Sequence, residues 1–149
     1  MATNRVSVRI VSNRIPQVVA QIEANAKAAV DETAADIQQR AEATAPRDTG
    51  SLAASIYRTN GEESDYGQRS GRASNLNDGA KILPEIRLDS VISTSGGTQP
   101  TYGAVVAPAV SHGLFQELGT RFQRAQPFLL PATLGNESDF VTRMSKVAD

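Results

Sequence analysis

The chain of 149 residues contains no cysteine, which excludes disulfide staples, thiolate metal sites and cysteine nucleophiles together. It holds a single histidine, His112, and a Ser-His-Asp triad would need that ring beside a serine and a carboxylate that no motif brings together. Aromatic residues are scarce, three tyrosines and four phenylalanines. The apolar share of 40% lies below the roughly 45 to 50% of ordinary globular chains, so the core is expected to be thin. Two explanations stay open, completion of the core by other subunits and an alanine-rich helical protein. Charge of one sign is also missing: 15 basic residues face 16 acidic ones, a net charge of -1, and no overall field would gather nucleic acid or lipid. No 18 apolar residues occur together and the N-terminus has no apolar run of signal-peptide length, which predicts a soluble protein made in a cytoplasm.

What remains is enough for one domain, residues 1–149, of a size that buries roughly 70% of its unfolded surface. VSVRI at residues 6–10 alternates as a half-buried strand does. Asn13 and Pro16 then resemble a helix start. Val18, Val19, Ile22, Ala26, Ala29, Val30, Ala34, Ile37 and Ala41 recur at steps of three and four, which predicts one amphipathic helix from Pro16 to about Thr44. At 1.5 Å per residue it would be about 40 to 45 Å long. Pro46 ends it, and residues 51–58 read as a strand. Residues 59–81 are almost devoid of apolar side chains, which predicts a long flexible loop, since burial cannot offset its ordering entropy.

Residues 82–92 and 101–108 read as strands of a hairpin turning at SGGTQ, residues 95–99. A short helix over 111–118 follows. PFLLP, residues 127–131, has a proline at each end, and proline discourages helix in the residue before it, so Phe128, Leu129 and Leu130 are expected as an extended apolar plug. A last helix from about Ala132 to Val147 would set Phe140, Val141, Met144 and Val147 on one side. The predicted class is α+β: a long N-terminal amphipathic helix packed on a small, mostly antiparallel sheet, with a short helix and a C-terminal helix.

Material for chemistry is sparse. Glu62, Glu63 and Asp65 lack metal-ligand spacing and read as solvated. The glycines of GQRSGR and SGGT do not continue into the lysine and helix of a phosphate-cradling loop. Arg69 and Arg72 sit in the polar segment, while Arg121 and Arg124 flank Phe122. These four arginines are candidates for contact with DNA or with a protein partner, and the near-zero net charge favours the protein partner.

Three segments in order, APRDTGSLAASI at Ala45–Ile56, HGLFQELGT at His112–Thr120 and QPFLLPA at Gln126–Ala132, resemble the gp-ten-like tail-component family of long-tailed bacteriophages. That family shares an A-P-x-D-T-G-x-L-x-x-S-I block, a Y-A-x-x-x-E-x-G-T block and a P-F-L-x-P-A block. His112 departs from the pattern, where the family more often has tyrosine. The resemblance implies a structural virion protein of the neck, a tail completion or head-tail connector protein, or in a second reading a tail terminator capping the tail tube. It implies neither catalysis nor a cofactor.

The same resemblance implies a homo-oligomeric ring, hexameric like the tail tube it meets, with stopper, adaptor, tail terminator or tail-tube proteins as neighbours. Genome DNA would pass through the ring without sequence-specific binding, and no membrane is involved. The protein would reside in the virion, at the neck or tail, after assembly in the host cytoplasm. Its subunit-interface or fold-motif residues would be Asp48, Thr49, Gly50, Leu52, Glu117, Gly119, Thr120, Pro127, Phe128, Leu129 and Pro131. Asp48 would cap a tight turn, Glu117 would pair with an arginine such as Arg121 or one on the adjacent subunit, and the PFLLP plug would fill a socket in the same chain or its neighbour.

Overall fold

Helix α1 runs from Ile15 to Thr44 in a computed structural model that describes residues 12–76, 79–87 and 102–147. The Asn13 side chain accepts the Ile15 N–H at 3.1 Å, and Pro16 occupies the first turn, where a missing N–H is harmless. Pro46 ends the helix by holding Ala45 extended, at ψ 133°. Only the C-terminal part of the apolar stripe is buried: Ala29, Ala34 and Ala41 are covered, whereas Val18, Val19 and Ile22 are exposed. Every residue from Ile15 to Asn25 is exposed.

Gly50, at φ +83°, opens α2 (Ser51–Ser55), a backbone conformation that glycine adopts without a Cβ penalty. Strand β1 (Ile56–Thr59) follows. The expected strand over 51–58 is thus half helix, because the left-handed glycine turns the chain and Leu52 must reach the core. The segment 59–81, expected as a loop, contains α3 (Tyr66–Asn75). Asp65 organises it: its carboxylate accepts the Arg58 N–H at 2.7 Å and the buried Gln38 amide at 2.9 Å, and it pairs with Arg69 at 3.2 Å. Arg69 also reaches Glu42 of α1 at 2.8 Å. Hydrogen bonds and ion pairs here do what apolar burial could not, and Ala73 supplies one buried contact.

Strand β2 (Val105–Pro108) pairs antiparallel with β1, Ile56 opposite Pro108 and Thr59 opposite Val105. The segment expected as a strand from residue 82 contributes a single bridge, Ile82 with Val110, and Tyr57 and Tyr66 anchor it through Ile86 N and Leu83 O, both at 2.7 Å. Its continuation over 88–92, the turn at 95–99, residue 101 and VSVRI at 6–10 lie outside the described residues.

Three helices complete the chain: α4 (His112–Leu118), α5 (Leu129–Leu134) and α6 (Glu137–Ser145). The expected C-terminal helix from Ala132 is therefore two, broken around Asn136. PFLLP is not extended. Pro131 is the third residue of α5, a first-turn position with no intrahelical N–H partner to lose. The core gathers Ala41 of α1 and Ala45 just past its end with Leu52, Ile56, Ala73, Val110, Phe128 and Ala132, so these small side chains let the other elements approach closely. The fold is α+β, and among the described residues the long helix lies along a two-stranded sheet.

Candidate subunit-interface site

The second sequence block lies between the first and the third and touches both. Asp48, Thr49, Gly50 and Leu52 line a shallow cavity of about 280 Å³ together with His112 and Gln116 of α4. Gly113 lets the blocks close: a Cβ there would lie 2.6 Å from Pro108 Cγ and 3.1 Å from Leu52 Cδ1. In the tight turn the Thr49 hydroxyl, not the Asp48 carboxylate, accepts the Ser51 N–H, at 3.3 Å.

Glu117 links the second block to the third. One carboxylate oxygen accepts the N–H groups of Phe128 and Leu129 at 2.8 and 2.9 Å, and the other accepts that of Leu130 at 2.9 Å. A helix start leaves its first N–H groups without intrahelical partners; here one side chain serves three, and Pro131 has none to serve. No ion pair between Glu117 and Arg121 is formed among the described residues, because the backbone has claimed the carboxylate. The negative charge also sits where the helix dipole favours it.

Between α4 and α5 the chain turns on Gly119, at φ +75°. A Cβ at Gly119 would come within 2.7 Å of Ala125 N, so a side chain is barred by both conformation and space. The Thr120 hydroxyl accepts the N–H groups of Phe122 and Gln123 at 3.2 and 3.1 Å, and Gln116 O accepts the Gln126 N–H at 2.7 Å. This bonded loop holds Phe122 outward, 84% exposed, with the Arg121 guanidinium 4.3 Å from the ring centroid. Leu114, Phe115, Leu118 and Leu130 are exposed on the same helices.

The expected plug divides in two. Phe128 is fully buried in the core of its own chain, so its socket is internal; Leu129 packs against that core, and Pro127 and Pro131 are exposed. The candidate arginines also divide. Arg69 is held by Asp65 and Glu42 and is not a mobile charge, Arg72 is exposed on α3, and Arg121 and Arg124 are exposed beside Phe122.

Asp65, read from the sequence as a solvated carboxylate, is instead bonded to Arg58, Gln38 and Arg69, and sequence reasoning missed Gln38. The signal was a carboxylate just before Tyr66, a place where helices begin, hidden by the polarity around it. It also missed the contact of Tyr102, whose hydroxyl lies 2.8 Å from both Asp31 carboxylate oxygens and accepts from Asn60 at 2.8 Å. Burial and the Asp31 bond push its hydroxyl pKa up to about 12. Arg143 ties α6 to α1 through Asp36 at 2.6 Å and the Thr33 hydroxyl at 3.0 Å. Among the described residues no three acidic or histidine side chains are grouped to hold a metal ion, and no helix is long and apolar enough to cross a membrane.

The sequence blocks thus close one capped and glycine-turned corner of an α+β domain and leave the Phe122 ring projecting from it. Residues 11–83, just under half of the chain, match the family described as Bacteriophage HK97-gp10, putative tail-component. That match takes in α1, the Asp48–Gly50 turn, β1 and α3, and it is the family to which the sequence blocks point; the blocks at 112–120 and 126–132 lie beyond it. No curated protein and no solved structure matches the chain.

Proposed function

We propose that the chain is a structural virion protein of the phage neck, joining head to tail as a ring-forming tail completion or head-tail connector protein. The observation that carries the reading is the match of residues 11–83 to a phage tail-component family. Its physical support is the apolar surface exposed among the described residues: the α1 stripe at Ile15, Val18 and Val19, and the corner at Leu118, Phe122 and Leu130. Exposed apolar groups held on rigid elements fit recognition of other proteins. These patches lie on different elements, as the head-to-tail contacts of a closed ring require.

A hexameric ring would match the tail tube, with stopper, adaptor, terminator or tube proteins above and below and the genome threading the lumen. A tail terminator is the second reading, favoured by the family's description as a tail component. Deleting the gene from its phage separates them under the electron microscope. Filled heads beside finished but unjoined tails are expected; tails of uncontrolled length would place the protein at the end of the tube, and normal virions would defeat both readings.

A further inference from the structure

We infer that Phe122, flanked by Arg121 and Arg124, seats in the groove between α1, residues 102–106 and α6 of a second copy of the chain, an inference that rests on the ring reading above. The groove measures about 420 Å³, and Val30, Ile37, Ala104, Val106 and Phe140 give it an apolar floor. An aromatic ring held outside its own domain needs such a floor elsewhere, and the bonded turn at Gly119 and Thr120 has already ordered it, so little entropy is lost on docking.

Charge selects the occupant. Between Glu117 and Glu137 the chain has no acidic residue, and Glu117 is spent on the α5 amides, so the knob presents Arg121 and Arg124 unopposed. Helices α1 and α6, which wall the groove, together carry Glu23, Asp31, Glu32, Asp36, Glu42, Glu137 and Asp139 against Lys27, Arg40 and Arg143; Arg143 pairs with Asp36 and Glu32 and Arg40 with Asp139, yet the Glu32 side chain stays 66% exposed and acids outnumber bases. A basic aromatic knob thus complements an apolar groove walled by two net-acidic helices of the same chain. A polyanion would suit the arginines but not that groove. Because knob and groove are different surfaces, each copy gives one contact and receives another, which is the geometry that closes rings. Opposite charges at the rim set the register and speed the encounter.

The absence of cysteine makes the test direct. Full-length Phe122→Cys and Ala104→Cys chains, purified separately and mixed under mild oxidation, are expected to form cross-linked dimers far in excess of either chain alone. Alongside, mass photometry and sedimentation of the unaltered chain should show concentration-dependent oligomers. Phe122→Glu should weaken them about 100-fold or more, the effect of losing an interface hot spot. Arg121→Glu with Arg124→Glu should weaken them as well, with recovery when Glu137→Lys and Asp139→Lys are added to the same chain. Oligomers unaffected by Phe122→Glu, or a mixture that cross-links no better than its components, would overturn this contact and leave the ring reading standing. An unaltered chain that stays monomeric at every concentration would overturn both. Loss of duplex DNA retention in the double arginine variant, with oligomer mass unchanged, would reassign the arginines to nucleic acid and overturn the inference.

Discussion

Residue-scale chemistry centres on one carboxylate and one ring. Glu117→Ala leaves three N–H groups without a partner, and charge-assisted bonds contribute about 1.5 to 3 kcal/mol each; partial rescue by water brings the expected loss to about 3 kcal/mol in urea unfolding. Glu117→Gln, which keeps an acceptor but not the charge, should lose less. Phe128→Ala empties a fully buried site and should cost about 3 to 5 kcal/mol of the monomer's own stability, whereas Phe122→Ala, at an exposed ring, should change it by less than about 0.5 kcal/mol. Tyr102 gives a pH test. Its folded pKa is raised above the ordinary value of 10.0 to about 12, so the stability linked to it is present below pH 10 and is lost as the pH rises from 10 towards 12. Tyrosinate absorbance should show a late-titrating group that Tyr102→Phe removes.

At the scale of elements, α3 is the informative case. Its apolar content is slight, with Ala73 its one buried residue, and its place depends on Asp65 bonding to β1, α1 and its own Arg69. Asp65→Ala should therefore speed hydrogen exchange of the amides from Tyr66 to Asn75 while α1 near Ala41 stays protected, because local opening follows the weakest set of contacts. Equal acceleration throughout the chain would mean that α3 and the core unfold together. The same view explains α5. A proline-bracketed FLL reads as extended when only nearest neighbours are considered, but Pro131 falls in the first turn and Glu117, eleven residues before Phe128, arrives through the fold to cap it.

For the whole molecule, the division is between a small packed body and apolar surface that the body does not use. Ile15, Val18, Val19 and Ile22 occupy one stripe of α1 and all are exposed. Val18→Ser combined with Ile22→Ser should leave the body's unfolding free energy within about 0.5 kcal/mol of the unaltered chain, since no core side chain is touched. It should nonetheless lower the yield of joined virions in complementation of a deletion phage. A large drop in stability instead would show that the stripe is covered within the monomer.

The local sequence determined α1, since nine small and apolar residues at helical spacing and a proline at each end act within the element itself. It likewise determined α4, the Gly50 and Gly119 turns, and the α+β class, and the family blocks were legible because they are local strings. Only the tertiary structure decided what those strings do. Phe128 and Phe122 stand six residues apart in one apolar-basic stretch, yet one fills the core and the other projects from it. Glu117 has arginine neighbours in sequence but backbone amides in space, and Asp65 and Gln38 meet across 27 residues. β2 pairs with β1 across an intervening helix. The physical reason is common to all of them: periodicity and turn chemistry are properties of adjacent residues, whereas burial and hydrogen-bond partnership depend on which distant surface the chain returns to.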